Sequence, residues 1–296
     1  MNITLDNCPL CKAKGPFKQR ISCVDYTVSK ERFSLAECSS CSFLFTNPRP
    51  DDESIGSYYK SEEYVSHNNK AKGIINKLYY MVRSFTLKQK LKLVEAHVSR
   101  GTILDYGCGT GMFLSTCKDS GWNCYGMEPD AQAREISVGG GTKAFADKKE
   151  LKQALGEQKL DAITLWHVLE HVTDLENTLA FFKENLSSNG VLIVAVPNHK
   201  SYDAVKYGEF WAAYDVPRHI YHFDSETMRN LMGRFGFMLV QMRPMKFDSF
   251  YVSMLSEKYK TGSINYFKAF FTGLLSNLKA KAPKDYSSVI YVFKQA

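Results

Sequence analysis

Three groups of residues in this 296-residue chain have side-chain types and spacing suited to chemistry. Cys8-Pro-Leu-Cys11 and Cys38-Ser-Ser-Cys41 form two Cys-x-x-Cys pairs. Four thiolates so spaced suit tetrahedral zinc, and four cysteines leave no open position for water, so such a zinc is structural. The second group is Asp105-Tyr-Gly107-Cys108-Gly109-Thr-Gly111, followed by Glu128 in Gly-Met-Glu-Pro. A strand that runs into a glycine-rich turn and then a helix turns backbone N–H groups toward a ligand. The third is Trp166-His167-Val-Leu-Glu170-His171. This cluster offers metal ligands, a general base near neutral pH, or a polar wall beside a cofactor, and the sequence leaves these open.

The elements that must position these groups alternate. Strands are expected at residues 102–106, 123–127, 161–165 and 191–196, and helices at 112–120, 131–136 and 175–186. Such an order builds a parallel sheet that binds ligands at the carboxyl ends of its strands. Upstream, strand-like pieces at 17–26 and 32–36 suit a hairpin supporting the cysteine pairs, with Cys23 a packed residue. Asn47-Pro-Arg-Pro marks a turn-rich junction. Beyond it lie Tyr58, Tyr59, Tyr64 and His67, then helical spacing from about 73 to 98 with Ile74, Leu78, Met81 and Phe85 on one face. That helix reads either as packed on the core or as a lid over the site.

The glycine positions discriminate between cofactors. A dinucleotide fingerprint needs a third glycine at 112, where this chain has Met112. The run from Asp105 to Gly111 instead resembles motif I of class I S-adenosylmethionine (SAM) methyltransferases. The resemblance covers roughly residues 100–245. It implies an α/β, Rossmann-like, seven-stranded fold whose last strand, near 287–294, is antiparallel, with an insertion at about 246–286. It implies that Gly107 and Gly109 admit the methionine part of SAM, that Asp105 orients the loop or the amino group, and that Glu128 holds the ribose hydroxyls. Cys108, Gly111 and Trp166 belong to the same cofactor wall, and Asp147 is a weaker candidate for the adenine amine. The His-Glu-His segment resembles Glu-x-x-Glu-His of ubiquinone-biosynthesis and small-RNA methyltransferases, where it binds a divalent metal. By that likeness His167, Glu170 and His171 are candidates for a second metal. As a base, His167 comes first and His171 second.

Acceptor contacts are expected after Val196-Pro-Asn198, in the aromatic and charged run from Phe210 to His222. There Arg218 and His219 either reach the site or form a buried ion pair with Asp215. Residues 266–275 give a helical apolar face with flanking lysines, suited to core, a dimer contact or a lipid surface. The expected organisation is a zinc-ribbon-like segment at 1–50, a helical linker or lid at 51–99, and the methyltransferase domain at 100–296. The expected activity is methyl transfer from SAM to a small-molecule acceptor, preferably at oxygen, with nitrogen or carbon as variants. An RNA acceptor and a non-catalytic binding protein are the alternatives. The net charge of +7 permits an anionic partner, but no arginine-rich strip interleaved with aromatics stands out. No apolar run reaches the roughly 18 residues that span a bilayer. With no signal-like N-terminus and eight cysteines not arrayed as a disulfide framework, a cytoplasmic setting is expected.

Overall fold

The computed structural model describes residues 1–59 and 74–296, with the side chains of 74–80 excepted. Tyr64, His67, Ile74 and Leu78 therefore lie outside the described side chains. The chain opens with β1 (Asn2–Ile3), the hairpin β2 (Lys18–Val24) and β3 (Arg32–Glu37), then β4 (Leu44–Thr46) and β5 (Arg49–Pro50). Helix α1 (Ile74–Glu95) leads into β6 (Thr102–Tyr106), α2 (Met112–Asp119), β7 (Asn123–Met127), α3 (Ala131–Gly139), β8 (Lys143–Phe145) and α4 (Lys148–Leu155). There follow β9 (Leu160–Trp166), α5 (Leu175–Asn185), β10 (Leu186–Pro197), α6 (Tyr202–Tyr207), β11 (Tyr221–His222) and α7 (Ser225–Arg234). The last elements are β12 (Phe237–Pro244), α8 (Asp248–Thr261), α9 (Tyr266–Lys279) and β13 (Ser288–Gln295).

Seven strands form one sheet in the order β12-β13-β10-β9-β6-β7-β8. Only β13 runs against its neighbours, as expected for the last strand. The run Val191–Val196 is buried throughout, as a central strand covered on both faces requires. Strand β10 starts five residues earlier than expected because Leu186 pairs with Leu160 ahead of an irregular stretch. Helix α7 is capped by Asp224, whose carboxylate accepts from the Glu226 and Thr227 N–H groups while the Thr227 hydroxyl accepts from the Asp224 N–H. The expected insertion is the helical pair α8–α9, placed between β12 and β13.

The cysteine-bearing N-terminus does not close its own sheet. The order there is β11-β4-β3-β2, and its edge strand comes from residues 221–222. Phe43, Phe45, Tyr221 and Phe223 belong to the same buried cluster as Leu104, Leu165 and Val194 of the large sheet. One apolar core therefore runs from the cysteines to the sheet, and burial on that scale is what holds the two together.

Candidate active site

Strand β6 ends in a turn that only glycine can make. Gly107 has φ +76°, and a Cβ there would lie 2.5 Å from Val168 Cγ2 in the loop after β9. Gly111, also at φ +76°, would place a Cβ 2.2 Å from Ser137 Oγ. Gly109 differs: its φ is +54° and no atom lies within 4 Å of a Cβ position, so its backbone faces open space where a ligand can approach. Glu128, at the end of β7, borders the same space. Its carboxylate accepts from the Gly109 N–H and the Asp130 N–H, both at 2.9 Å, and burial raises its pKa. Asp105 is buried and accepts from the Thr164 hydroxyl at 2.6 Å. Burial raises its pKa to about 7, against the hydrogen bond from Thr164 and the charge of Lys90. Cys108 is buried, with its thiol raised by burial to about 12. Asp147 faces solvent, and its Oδ1 caps α4 by accepting from the Lys149 and Glu150 N–H groups.

Lys90 of α1 is a site residue that sequence reasoning missed. Its ammonium lies 4.3 Å from the centroid of the Trp166 ring, and burial lowers its pKa, opposed by the charges of Asp105 and Asp248. One lysine among many on a helix carries no distinguishing signal in sequence.

His167 directly follows β9 with φ +59°, an uncommon conformation for a residue with a Cβ. Its Nε2 lies 3.0 Å from Asp248 Oδ2 and its Nδ1 3.4 Å from Glu170 Oε1. Burial alone would lower its pKa, but the bond to Asp248 and the nearby Glu170 carboxylate prevail and raise it to about 10. An imidazolium held between two carboxylates has no lone pair to accept a proton. The expected first choice as base therefore gives way on physical grounds. Asp248 comes from the first turn of α8, so the insertion reaches the site.

The ligand atoms that converge are those of Glu170, His171 and His219, all within 4.8 Å of one another; His167 is not in this group. This differs from the expected trio. His171 Nδ1 lies 3.0 Å from the Arg218 carbonyl and 3.0 Å from Tyr59 Oη. His219 Nδ1 lies 2.9 Å from the Ala213 carbonyl. A carbonyl can only accept, so both rings carry a proton on Nδ1, and Nε2 is the atom each turns toward the other ligand groups. Burial, with the charge of His219, lowers the His171 pKa to about 4. Glu170 is fully buried, and neither of its oxygens has a hydrogen bond of good geometry among the described residues.

Arg218 resolves to the ion-pair reading rather than to a substrate clamp. It is 1% exposed, and its guanidinium donates to Asp215, to Asp25 Oδ1 at 3.0 Å and to the Tyr58 carbonyl at 2.9 Å. Every nitrogen is occupied inside the protein.

The four cysteines of the N-terminal pairs converge as expected. Cys8 and Cys41 Sγ are 3.6 Å apart, as are Cys11 and Cys38, and all four lie within 4.8 Å. Four bonds of about 2.3 Å to a tetrahedral zinc would set sulfurs about 3.8 Å apart, so the residues fit that ion. Lys12 and Ser42 follow their pairs with φ of 64° and 58°, giving two matching turns. Cys23 packs with Phe33, Leu35 and Tyr214, outside this group.

A strand, a glycine turn and an acidic strand end in a seven-stranded sheet with one antiparallel member define the class I methyltransferase fold. The chain belongs to the methyltransferase domain family, whose model matches residues 81–242. It is 28% identical over 152 residues to a ubiquinone biosynthesis O-methyltransferase of Rickettsia typhi, covering 47% of this chain and 59% of that protein. A Rhodopseudomonas palustris protein of the same description is 25% identical over 162 residues, covering 49% and 62%. The chain thus spans about three-fifths of the length of these curated relatives. Among solved structures, magnesium protoporphyrin IX methyltransferase of Synechocystis superposes with a TM-score of 0.51 at 15% identity, covering 85% of this chain and all of that one. Geranyl diphosphate C-methyltransferase of Streptomyces coelicolor gives 0.50 at 13%, covering 83% and 88%. At these identities the likeness is one of fold. Among the described residues no helix is long and apolar enough to cross a membrane.

Proposed function

We propose that this chain transfers a methyl group from SAM to a hydroxyl of a small-molecule acceptor. The observation that carries the reading is the open face of Gly109 bordered by Glu128, with Asp105 and Lys90 at the foot of the same turn. Glu128 would release the Gly109 N–H and accept from the two ribose hydroxyls, since a carboxylate can take both protons. Lys90 would meet the carboxylate of the cofactor's methionine part and Asp105 its ammonium. Trp166, which carries Lys90 on its face, would wall the reacting methyl. Oxygen as the methylated atom is supported by the ubiquinone-biosynthesis relatives, which are O-methyltransferases.

The acceptor would lie over Glu170, His171 and His219. The Nε2 atoms of two rings and a buried carboxylate whose described contact is the long 3.4 Å approach of His167 would fit a divalent cation of intermediate softness. Such an ion, when bound, would lower the pKa of an acceptor hydroxyl. The chain's own part is to hold both rings in one tautomer through the Arg218 and Ala213 carbonyls and to keep His167 charged beside the site. The four N-terminal cysteines would hold a separate, structural zinc.

Calorimetric titration with S-adenosylhomocysteine, paired with metal analysis of the same sample, tests the reading. Micromolar binding is expected, with metal beyond the four-cysteine equivalent that Glu170→Gln removes. Absence of binding to both SAM and its product would refute the methyltransferase reading. A metal content unchanged by Glu170→Gln would refute the second site alone.

A further inference from the structure

Helix α9 is built inside out. Its buried positions are Ala269, Thr272, Gly273 and Ser276, a seam of small and polar residues at helical spacing. A Cβ at Gly273 would lie 2.8 Å from the Phe250 ring, so the two helices of the insertion approach too closely for larger side chains. The buried residues of α8 are mostly polar as well: Ser249, Ser253, Ser256 and Glu257, with Val252. Hydrogen bonds hold the seam on two sides: Ser249 Oγ of α8 donates to the Gly273 carbonyl at 3.1 Å, and toward α6 Ser276 Oγ donates to Asp203 at 2.6 Å and Lys206 Nζ donates to Thr272 Oγ1 at 2.7 Å.

The large apolar side chains face the other way. Tyr266, Phe267, Phe270, Phe271 and Leu278 are exposed, Phe267 by 81% and Leu278 by 71%. A helix that served only as part of a water-soluble core would bury these and expose the serines and threonine. Small residues at a close helix seam with bulky apolar groups outward is instead the arrangement of helices that meet lipid.

Charge identifies the surface. Residues 246–286 carry seven lysines and three acidic residues. Of the three acids, Asp248 is engaged by His167, Glu257 is buried beside Lys268, and Asp285 caps the backbone at Lys281 and Ala282. Lys246, Lys260, Lys279, Lys281 and Lys284 of the same insertion are exposed. A second copy docked on this face would bring lysines against lysines, with no free carboxylate of the insertion to receive them. An anionic lipid surface complements both the aromatics and the lysines.

We infer that α9 is an interfacial helix that docks the protein in the plane of an anionic lipid bilayer. Its 14 residues span about 21 Å, enough to lie in the headgroup layer but too short to cross. Because α8 delivers Asp248 to His167, the docked face is one helix away from the proposed acceptor site. The inference stands on the insertion alone and does not require the methyltransferase reading.

Co-sedimentation of the full chain with vesicles tests it. Phosphatidylglycerol-containing vesicles are expected to pellet the protein and pure phosphatidylcholine vesicles to leave most of it in solution. Phe267→Ser with Phe271→Ser should lower the partition coefficient by about tenfold or more. These variants should keep wild-type far-UV dichroism and wild-type thermal unfolding, since both side chains are outside the packed interface. Protein that remains in the supernatant with both vesicle types would overturn the inference. So would folded variants that sediment as well as wild type. A dimer in solution that the same substitutions dissociate would assign the face to a second copy and also overturn it.

Discussion

Asp105 should make cofactor affinity depend on pH near neutrality. Burial raises its pKa from the ordinary 3.8 to about 7, although the Thr164 hydroxyl and the charge of Lys90 both favour the carboxylate. In the free protein the group therefore carries a proton below about pH 7. A cofactor ammonium beside it favours the ionised form, so binding must expel that proton. The sign follows: affinity rises as pH rises toward 7 and levels off above it. At pH 6 roughly nine sites in ten are protonated, so Kd should be about tenfold weaker than its plateau, or about 1.4 kcal/mol. The raised pKa also means that the folded chain binds more protons than the unfolded chain between 3.8 and about 7, so Asp105's contribution to stability declines as pH rises through that window. Titration with S-adenosylhomocysteine in two buffers of different ionisation enthalpy should detect proton release between about pH 6 and 7. Thr164→Val removes the 2.6 Å bond to the carboxylate and should move the midpoint upward. Asp105→Asn should abolish the slope. A flat Kd across this range in the wild type, or a slope that persists in Asp105→Asn, would refute the reasoning.

Two further outcomes follow from the N-terminal segment. Cys38→Ser should remove the four-cysteine zinc, seen as loss of about one equivalent by metal analysis, and should open the first fifty residues to protease, because a segment without its own core depends on the ion. Retention of that zinc would show that the cluster is not its site. Arg218→Leu leaves Asp25 buried without its cation and should cost about 3–5 kcal/mol in urea unfolding, as expected for breaking a buried ion pair from one side. A loss below about 1 kcal/mol would mean that the pair behaves as a surface contact.

The parts of this structure legible in sequence are those set by local chemistry. A continuous apolar run at 191–196 makes a buried strand wherever it falls, and Asp224 three residues before Thr227 signals a helix start. The position of Glu128 beside the glycine turn is legible because a strand end follows that turn at a fixed distance. Contacts made by tertiary arrival were not legible. Asp248 is 81 residues from His167, and its approach depends on how α8 docks. His167 could look like a base only while that partner was unknown. His219 was expected near the site, but its place beside Glu170 and His171 is set by the backbone bond from the Ile220 N–H to the Glu170 carbonyl at 2.9 Å. The periodicity of α9 shows an apolar face in sequence but not its direction. Direction was decided by Gly273, which admits Phe250 and turns the aromatics outward.

The zinc-binding segment and the acceptor site share one wall. Residues 211–222 lie between them and are fastened to both. Toward the N-terminus, Arg218 binds Asp25, the Thr46 hydroxyl donates to the His219 carbonyl at 2.8 Å, and β11 pairs with β4. Toward the sheet, the Arg218 carbonyl sets the His171 tautomer and Ile220 holds the Glu170 backbone. Tyr59, just beyond β5, also reaches His171. The groups that would contact an acceptor are therefore oriented by hydrogen bonds whose other ends rest on the cysteine-bearing sheet. A closed four-cysteine zinc takes no part in bond making, yet releasing it should loosen His171 and His219 while sparing the Gly109 turn, which is built from β6, β7 and the loop after β9. Zinc loss should accordingly depress turnover more than cofactor affinity. An equal fall in both would mean that the two halves of the site unfold as one unit.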